Sequence, residues 1–325
     1  MLRRRREAYL GAADICFDTG ERTVEEVSDA ICRSIRGRSM TNEQRRDRNE
    51  LAGVLDLQSL IEQIDHDPAL RICGIAGYPC AHSVSPLIYN RLFERFGMGY
   101  LYTRFQWPEV DTIIRLAKLL PLKGLSVTIP FKGEVMHHLD EVDRHAAAIG
   151  AANTVVRCGD RFFGFNTDWL GVRTPLIHRQ GARGVVIGAG GAAAAAVYAL
   201  LSLDMDVVVL NRTPEKARSL AAHFGCGWGP LDAFSGSDVD VVVHATSVGM
   251  EPDTRSLLDA CQFDRKMTVF DLVYTPPETP LIRAARQAGC ETIYGTEMFV
   301  HQAAEQFRLI TGIAVSPELV REMLS

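Results

Sequence analysis

The chain is marked first by what it lacks. No run of apolar residues approaches the roughly 18 that a membrane-spanning helix needs, so no membrane partner is expected. Its eight cysteines (Cys16, Cys32, Cys73, Cys80, Cys158, Cys226, Cys261 and Cys290) are scattered, with no Cys-x-x-Cys and no metal-type spacing to histidine. That pattern excludes a zinc module and points to reduced thiols in a cytoplasmic setting. The nine histidines form no His-Glu-x-x-His, and His137-His138 reads as a surface pair on a short helix, so no metal is expected. Positive charge is not in excess: 35 Lys and Arg face 40 Asp and Glu, for a net charge of −5, which argues against nucleic acid as the main partner. The one basic run, Arg3 to Arg6, is soon followed by Glu7, Asp14 and Asp18 and by no apolar segment. It reads as a solvated helix start and not as a targeting peptide.

What is present is material for large cores. Hydrophobic residues make up 47% and charged residues 23% of 325, which excludes global disorder and suits two domains. The most informative segment is Gly184-Val185-Val186-Ile187-Gly188-Ala189-Gly190-Gly191-Ala192-Ala193. The apolar residues 185–187 suit a buried parallel strand, and Gly188-x-Gly190-x-x-Ala193 then opens an Ala-rich helix to about residue 203. Glycine at 188 permits a tight turn, and glycine at 190 lets the backbone approach a pyrophosphate. Ala193 lets helix and strand pack closely, while the helix N-terminus offers free N–H groups to phosphate. A second strand, over 206–210, follows about 20 residues on, as a dinucleotide fingerprint requires. Where an NAD site would place Asp or Glu, this chain has Asn211-Arg212-Thr213, then Lys216 and Arg218. Cations and a hydroxyl suit a 2′-phosphate, so the expected cofactor is NADP.

Residues 1–65 are polar and charge-rich, with the stretch 38–50 reading as a linker. Beyond them strand and helix alternate. Strands are expected over 71–76, 100–105, 124–128, 154–157, 161–165, 239–244 and 267–272. Helices are expected over 86–96, 110–119, 133–149, 168–179, 297–310 and 317–324. This is an α/β pattern built on largely parallel sheets. Because the fingerprint begins only near residue 183, a second α/β unit of about a hundred residues must precede it, with the substrate in the cleft between the two.

Polar residues gather where strands of that first unit end. In His82-Ser83-Val84-Ser85-Pro86, two hydroxyls beside a helix start with Pro suit a carboxylate, with simple N-capping by Ser85 as the plainer alternative. Thr128-Ile129-Pro130-Phe131-Lys132 sets a lysine just past a strand end. Asn153-Thr154 and Asn166-Thr167-Asp168 add amides and a carboxylate, although Asp168 alone would read as a helix cap. Reducing a ketone with a nicotinamide needs a proton donor for the oxygen that gains charge, and a Lys–Asp pair can hold that proton. Surrounding hydroxyls and amides suit a small polyol acid.

In this order these segments resemble the shikimate dehydrogenase family, from about residue 72 to 324. The resemblance rests on Gly77-Tyr78-Pro79-Cys80-Ala81-His82-Ser83-Val84-Ser85-Pro86 with Asn90 and Phe93, and on Val127-Thr128-Ile129-Pro130-Phe131-Lys132. It continues through Gly150-Ala151-Ala152-Asn153-Thr154, Asn166-Thr167-Asp168-Trp169-Leu170-Gly171, the cofactor turn, and Asn211-Arg212-Thr213-Pro214-Glu215-Lys216-Ala217. Ala245-Thr246-Ser247-Val248-Gly249-Met250, Asp271-Leu272-Val273-Tyr274, Gly295-Thr296-Glu297-Met298 and His301-Gln302-Ala303 complete it. The resemblance implies a two-domain α/β fold: a discontinuous substrate domain (66–173 and 299–325) around a Rossmann-type NADP domain (174–298). It implies Ser83, Ser85 and Tyr274 at the substrate carboxylate, Thr128, Asn153, Asp168 and Gln302 at its hydroxyls and ketone, and Lys132 as acid/base paired with Asp168. Gly188, Ala189, Gly190, Gly191, Ala192, Asn211, Arg212, Thr213, Lys216, Leu272 and Gly295 would line the cofactor. The implied activity is reduction of 3-dehydroshikimate to shikimate, by a monomer or homodimer. Three residues depart from the family pattern: Ser126 for a usual Asn, Tyr89 for a usual His, and Arg144 for a usual acidic residue.

Residues 6–27 resemble the C-terminal tail of shikimate kinase, or else form an unrelated helix with the capping box Thr23-Val24-Glu25-Glu26. No Gly-x-x-x-x-Gly-Lys-Ser/Thr loop exists, so no kinase activity is expected. Two other functions stay open at this point: an NAD-dependent quinate/shikimate dehydrogenase, and a non-catalytic sensor of a pathway metabolite.

Overall fold

The computed structural model describes residues 69–324 apart from His82, together with Leu60, Gln63, Ile64, His66 and Asp67. The kinase-tail resemblance and the linker at 38–50 lie outside these residues. Two six-stranded sheets organise the chain. The first contains β1 (Arg71–Ala76), β2 (Tyr100–Phe105), β3 (Leu122–Val127), β4 (Glu141–Val142), β5 (Thr154–Cys158) and β6 (Arg161–Phe165), in the order β2-β1-β3-β5-β6-β4. The β2-β1-β3 part is parallel, and β1 is buried along nearly its whole length, as its apolar sequence demands. Helices α1 (Ser85–Arg95) and α2 (Val110–Leu119) make the crossovers. The expected parallel character is only partial here. β5 pairs antiparallel with β3, and also with β6, where the hairpin at Gly159, with φ +62°, reverses the chain too tightly for a crossover.

The second sheet is wholly parallel: β7 (Arg183–Ile187), β8 (Asp206–Asn211), β9 (Gly227–Pro230), β10 (Val241–His244), β11 (Thr268–Asp271) and β12 (Glu291–Ile293). Its order, β12-β11-β10-β7-β8-β9, is that of a doubly wound dinucleotide-binding sheet, with the topological switch between β7 and β10.

Some expected elements differ. Residues 133–149 are not one helix. A 3₁₀ turn (Glu134–His138) and the short β4 precede α3 (Arg144–Ile149), because Asp143 caps α3 by accepting from the His145 and Ala146 N–H groups. His137 is exposed within that turn. The helix at 168 stays α-helical only as α4 (Asp168–Arg173) and tightens to 3₁₀ over Thr174–Arg179, where Pro175 has no N–H to give. The dinucleotide unit contributes α5 (Gly191–Leu201), α6 (Pro214–Phe224) and α7 (Pro280–Gln287). The last two are additions to the expected elements, as are β9 and β12. α8 (Gly295–Thr311) and α9 (Pro317–Glu322) close the chain.

α8 crosses from one unit to the other. It packs on α4 and reaches β3 and β5 of the first sheet. Two glycines permit the approach: a Cβ at Gly171 would lie 2.6 Å from the Met298 carbonyl, and one at Gly124 would lie 2.7 Å from the Ile310 side chain. The first core also begins ahead of the expected boundary at residue 66. Leu60 is fully buried in it, and Ile64 packs against it. Leu60→Ala is therefore expected to destabilise the protein by about 2–5 kcal/mol, and loss of residues 1–65 by a comparable amount or more. Denaturant unfolding of both variants checks this.

Candidate active site

Three chain segments meet at the edge of the first sheet facing the second. Lys132 follows β3, Asn153 precedes β5, and Asp168 opens α4. The Lys132 ammonium donates to Asp168 Oδ2 at 2.6 Å, with the carboxylate nearly inaccessible and the lysine only slightly exposed. Asn153 Nδ2 donates to Asp168 Oδ1 at 2.8 Å and to Thr167 Oγ1 at 2.9 Å, while its Oδ1 accepts from the Thr167 N–H and the Thr154 hydroxyl. The plainer reading of Asp168 as a cap does not apply. Thr167 is the N-cap residue, and both carboxylate oxygens are taken by Lys132 and Asn153.

The serine pair sits nearby. Ser83 and Ser85 are buried with their hydroxyls 3.2 Å apart, and the Arg104 guanidinium donates to the Ser83 carbonyl at 2.6 Å. Capping by Ser85 is overturned: the N-cap position is Val84, with Ser85 and Pro86 already helical. The half-buried Tyr274 has its hydroxyl pushed above the usual range by burial, and a hydrogen bond to Ser83 opposes that shift. Thr128 lies against Gly77, where a Cβ would collide with the threonine methyl. Gln302, on α8, comes within 3.4 Å of Asn153 Nδ2.

Sequence reasoning missed Gln306. It stands one helical turn beyond Gln302, on the same face, and that spacing was the available signal. Its amide donates to the Asn153 carbonyl at 2.9 Å, and its Oε1 accepts from Ser126 and Tyr89, each at 2.8 Å. The Tyr102 hydroxyl donates to Ser126 Oγ at 2.6 Å and its ring stacks on Tyr89 at 4.5 Å. Burial raises both phenols far above their ordinary range, so both stay neutral donors. Two of the departures from the family pattern, Ser126 and Tyr89, therefore meet in one buried network. Arg144 is exposed at the start of α3, beside His145.

The dinucleotide turn adjoins this pocket. Gly188 has φ +126°, a conformation reserved for glycine, and a Cβ there would lie 2.8 Å from the Ala245 carbonyl. A Cβ on Gly190 would meet nothing within 4 Å, which leaves its outer face open to a ligand. No side chain caps α5, so its first N–H groups, in the run Ala189, Gly190, Gly191 and Ala192, remain available to phosphate. Gly191 lies against the Lys132 stem, its imagined Cβ 3.2 Å from Lys132 Cβ, so the turn and the Lys–Asp pair are neighbours. At the end of β8 the Asn211 amide donates to the Thr213 carbonyl at 3.0 Å, and Arg212, Thr213 and Lys216 are exposed. Leu272 follows β11, and Gly295 opens α8 where a Cβ would collide with the Val273 carbonyl. The open glycine face, the uncapped helix and the exposed cations fit a phosphorylated dinucleotide. Among the described residues no cluster of His, Cys, Asp and Glu is placed to hold a metal, and no helix is long and apolar enough to cross a membrane.

Family models for the shikimate dehydrogenase substrate-binding domain, for shikimate/quinate 5-dehydrogenase and for the shikimate 5′-dehydrogenase C-terminal domain match residues 75–155, 174–279 and 295–324. A protein of Maridesulfovibrio salexigens named shikimate dehydrogenase (NADP(+)) is 40% identical over 264 residues, covering 78% of this chain and 96% of that one. The crystal structure of shikimate 5-dehydrogenase from Thermus thermophilus with NADP(H) and shikimate superposes with a TM-score of 0.71 at 35% identity, covering 78% of this chain and 98% of that one. Quinate dehydrogenase from Corynebacterium glutamicum with NAD gives 0.72 at 29% identity, covering 78% and 98%. A doubly wound sheet set against a pocket with a buried Lys–Asp pair defines an oxidoreductase of the NADP-dependent class with a separate substrate domain. The chain belongs to the shikimate dehydrogenase family.

The exposed cation at the end of β8 gives a direct check on cofactor choice. Arg212→Ala is expected to weaken NADP⁺ by about 1.5–3 kcal/mol, the worth of a charge-assisted contact, and to leave NAD⁺ nearly unchanged. Titration of both cofactors by protein fluorescence reads this, and equal weakening would make Arg212 structural.

Proposed function

We propose that this protein catalyses the reversible NADPH-dependent reduction of 3-dehydroshikimate to shikimate, a step in the biosynthesis of chorismate and aromatic amino acids. The observation that carries the reading is the 2.6 Å Lys132–Asp168 pair, with the lysine stem packed on the first residue of the dinucleotide helix. The dinucleotide, when bound, supplies a hydride to the ketone carbon. As that hydride arrives, the ketone oxygen gains negative charge, and Lys132 gives it a proton. Asp168 holds the ammonium in place and balances its charge in a site nearly closed to water. In the oxidative direction Lys132 takes the proton from the hydroxyl as hydride leaves. Ser83, Ser85 and Tyr274 orient the substrate by its carboxylate, and Thr128, Asn153 and Gln302 hold its hydroxyls. Gly188 to Ala192 would hold the pyrophosphate, Asn211 to Lys216 the 2′-phosphate, and Leu272 and Gly295 would line the cofactor.

The substrate domain is read as residues 66–173 and 299–325, extended back to include Leu60, around a cofactor domain over 174–298. The reading extends to a cytoplasmic monomer or homodimer acting on small molecules, with no need of nucleic acid or membrane. The charge-rich residues before Leu60 then form a non-catalytic extension related to the shikimate kinase tail. Retention of both members of the proton-transfer pair favours an enzyme over a metabolite sensor, which has no use for them. Exposed Arg212 and Lys216 favour NADP over the NAD of the quinate enzyme.

Lys132→Ala is expected to lower kcat by about 10²–10⁴-fold, the usual worth of one positioned acid/base, with cofactor binding retained. Turnover within threefold of wild type would remove Lys132 from the mechanism. Asp168→Asn, close in shape, should also cut kcat, because it takes away the charge partner of the ammonium; an unchanged rate would reduce Asp168 to a structural residue. Both are read from reduced-nicotinamide absorbance with shikimate or quinate, each paired with NADP⁺ and NAD⁺. Faster turnover of quinate with NAD⁺ would transfer the assignment to the quinate enzyme.

A further inference from the structure

A second buried acid–base pair lies outside the substrate pocket, at the switch point of the parallel sheet. His244 is the last residue of β10, in register with Ile187 of β7 on one side and with Asp271 of β11 on the other. His244 and Asp271 are, respectively, 1% and 0% exposed, so neither serves solubility. Asp271 collects three donors. His244 Nδ1 at 2.8 Å and the Val273 N–H at 3.0 Å reach Oδ1, and the Thr279 hydroxyl at 2.5 Å reaches Oδ2. Facing a carboxylate, Nδ1 must carry a proton, and Nε2 shares a second hydrogen bond with the Thr246 hydroxyl at 2.5 Å. Thr246 Oγ1 in turn accepts from the Val248 N–H at 3.2 Å.

This chain of bonds ties together two turns that leave the carboxyl ends of β10 and β11. A ligand of a doubly wound sheet sits in the crevice beyond those ends, beside the switch point. The first turn forms one wall of the glycine turn: the Ala245 N–H donates to the Ile187 carbonyl at 2.8 Å, and a Cβ on Gly188 would lie 3.2 Å from the Thr246 methyl. The second turn carries Leu272, whose N–H donates to the His244 carbonyl at 3.0 Å, and Val273, on whose carbonyl Gly295 packs. The two turns are bonded again where the Glu251 N–H donates to the Thr275 carbonyl at 3.2 Å. Replacing both members of a buried hydrogen-bonded pair by apolar residues of similar shape can be nearly neutral, so stability alone gives little reason for one here.

We infer that His244 is a positioning residue for the dinucleotide: held by Asp271, it fixes Thr246, and through it the turn that walls the phosphate-binding glycines. This rests on the reading that the cofactor occupies the turn at Gly188. Two variants break the chain at different links. Thr246→Val keeps the shape of the side chain and the His244–Asp271 bond, but removes the hydroxyl. His244→Asn keeps an amide donor near Asp271 and is too short to reach Thr246. Each is expected to raise KM for NADP⁺ about five- to tenfold, the worth of one lost hydrogen bond, with KM for shikimate and saturating kcat within twofold of wild type. Thr246→Ser should restore the wild-type value.

Arg212→Ala, measured in the same assay, separates the two levels of the argument. If it raises KM for NADP⁺ while Thr246→Val and His244→Asn do not, the positioning role falls and the cofactor reading stands; if none of the three raises it, both fall. A rise with Thr246→Val alone would mean direct contact between hydroxyl and ligand and would also overturn the role of His244. So would equal rises in both KM values with a lowered melting temperature, the mark of general structural damage.

Discussion

The structure depends on keeping one carboxylate charged where water scarcely reaches it. Asp168 is 3% exposed, and an ion so placed is tolerated only with a counter-charge and hydrogen bonds at hand. Lys132 supplies the charge and Asn153 the bond. Neither is near Asp168 in sequence, so strand β3, the β5–β6 hairpin and the start of α4 must be brought to one place. The mixed first sheet does this. Its parallel half brings Lys132 out at a strand end, and the antiparallel hairpin delivers Asn153 and Asp168 beside it.

α8 secures the arrangement from the other side. Gln306 holds the Asn153 backbone, Gln302 approaches its amide, and Gly171 and Gly124 let the helix sit close enough for both. The helix begins against the end of β11 in the cofactor unit and finishes on the first sheet, so it couples the two bodies mechanically. α3 adds a second tie. His145 stacks on Trp169 and pairs with the Tyr198 hydroxyl at 2.8 Å, and the Ala148 carbonyl lies 2.7 Å from His223 Nε2. The unit that holds the substrate is thereby braced against the helices α5 and α6 of the unit that holds the dinucleotide.

Polar chemistry on both sides of the cleft is built from buried networks and not from isolated side chains. Tyr89, Tyr102, Ser126 and Gln306 form one, and Thr279, Asp271, His244 and Thr246 another. In such networks each member satisfies the next, so the loss of one leaves an unpaired buried group and is felt beyond its own contacts. Ser126 shows the logic. A short side chain suffices because its one hydroxyl accepts from Tyr102 and donates to Gln306.

The dinucleotide turn was legible from the sequence because its requirements are local. Gly188 needs a positive φ, Gly190 needs an open face, Ala193 must be small, and each demand is met by the residue itself. The strand at 71–76 and the apolar run 185–187 were legible for a similar reason, since burial on both faces leaves a nearly continuous apolar run. Motif resemblance carried Lys132, Asp168 and the serine pair, but spacing along the chain did not show that they meet. Helix ends were less readable: Asp143 and Pro175 interrupt patterns that looked continuous, because capping and a missing N–H act over single residues. Only the tertiary structure decided that Leu60 belongs to the core, that Gln306 stands behind Asn153, and that His244 faces Asp271. Those contacts join elements far apart in sequence, and they exist because sheet register and helix crossing bring buried polar groups within bonding distance of each other.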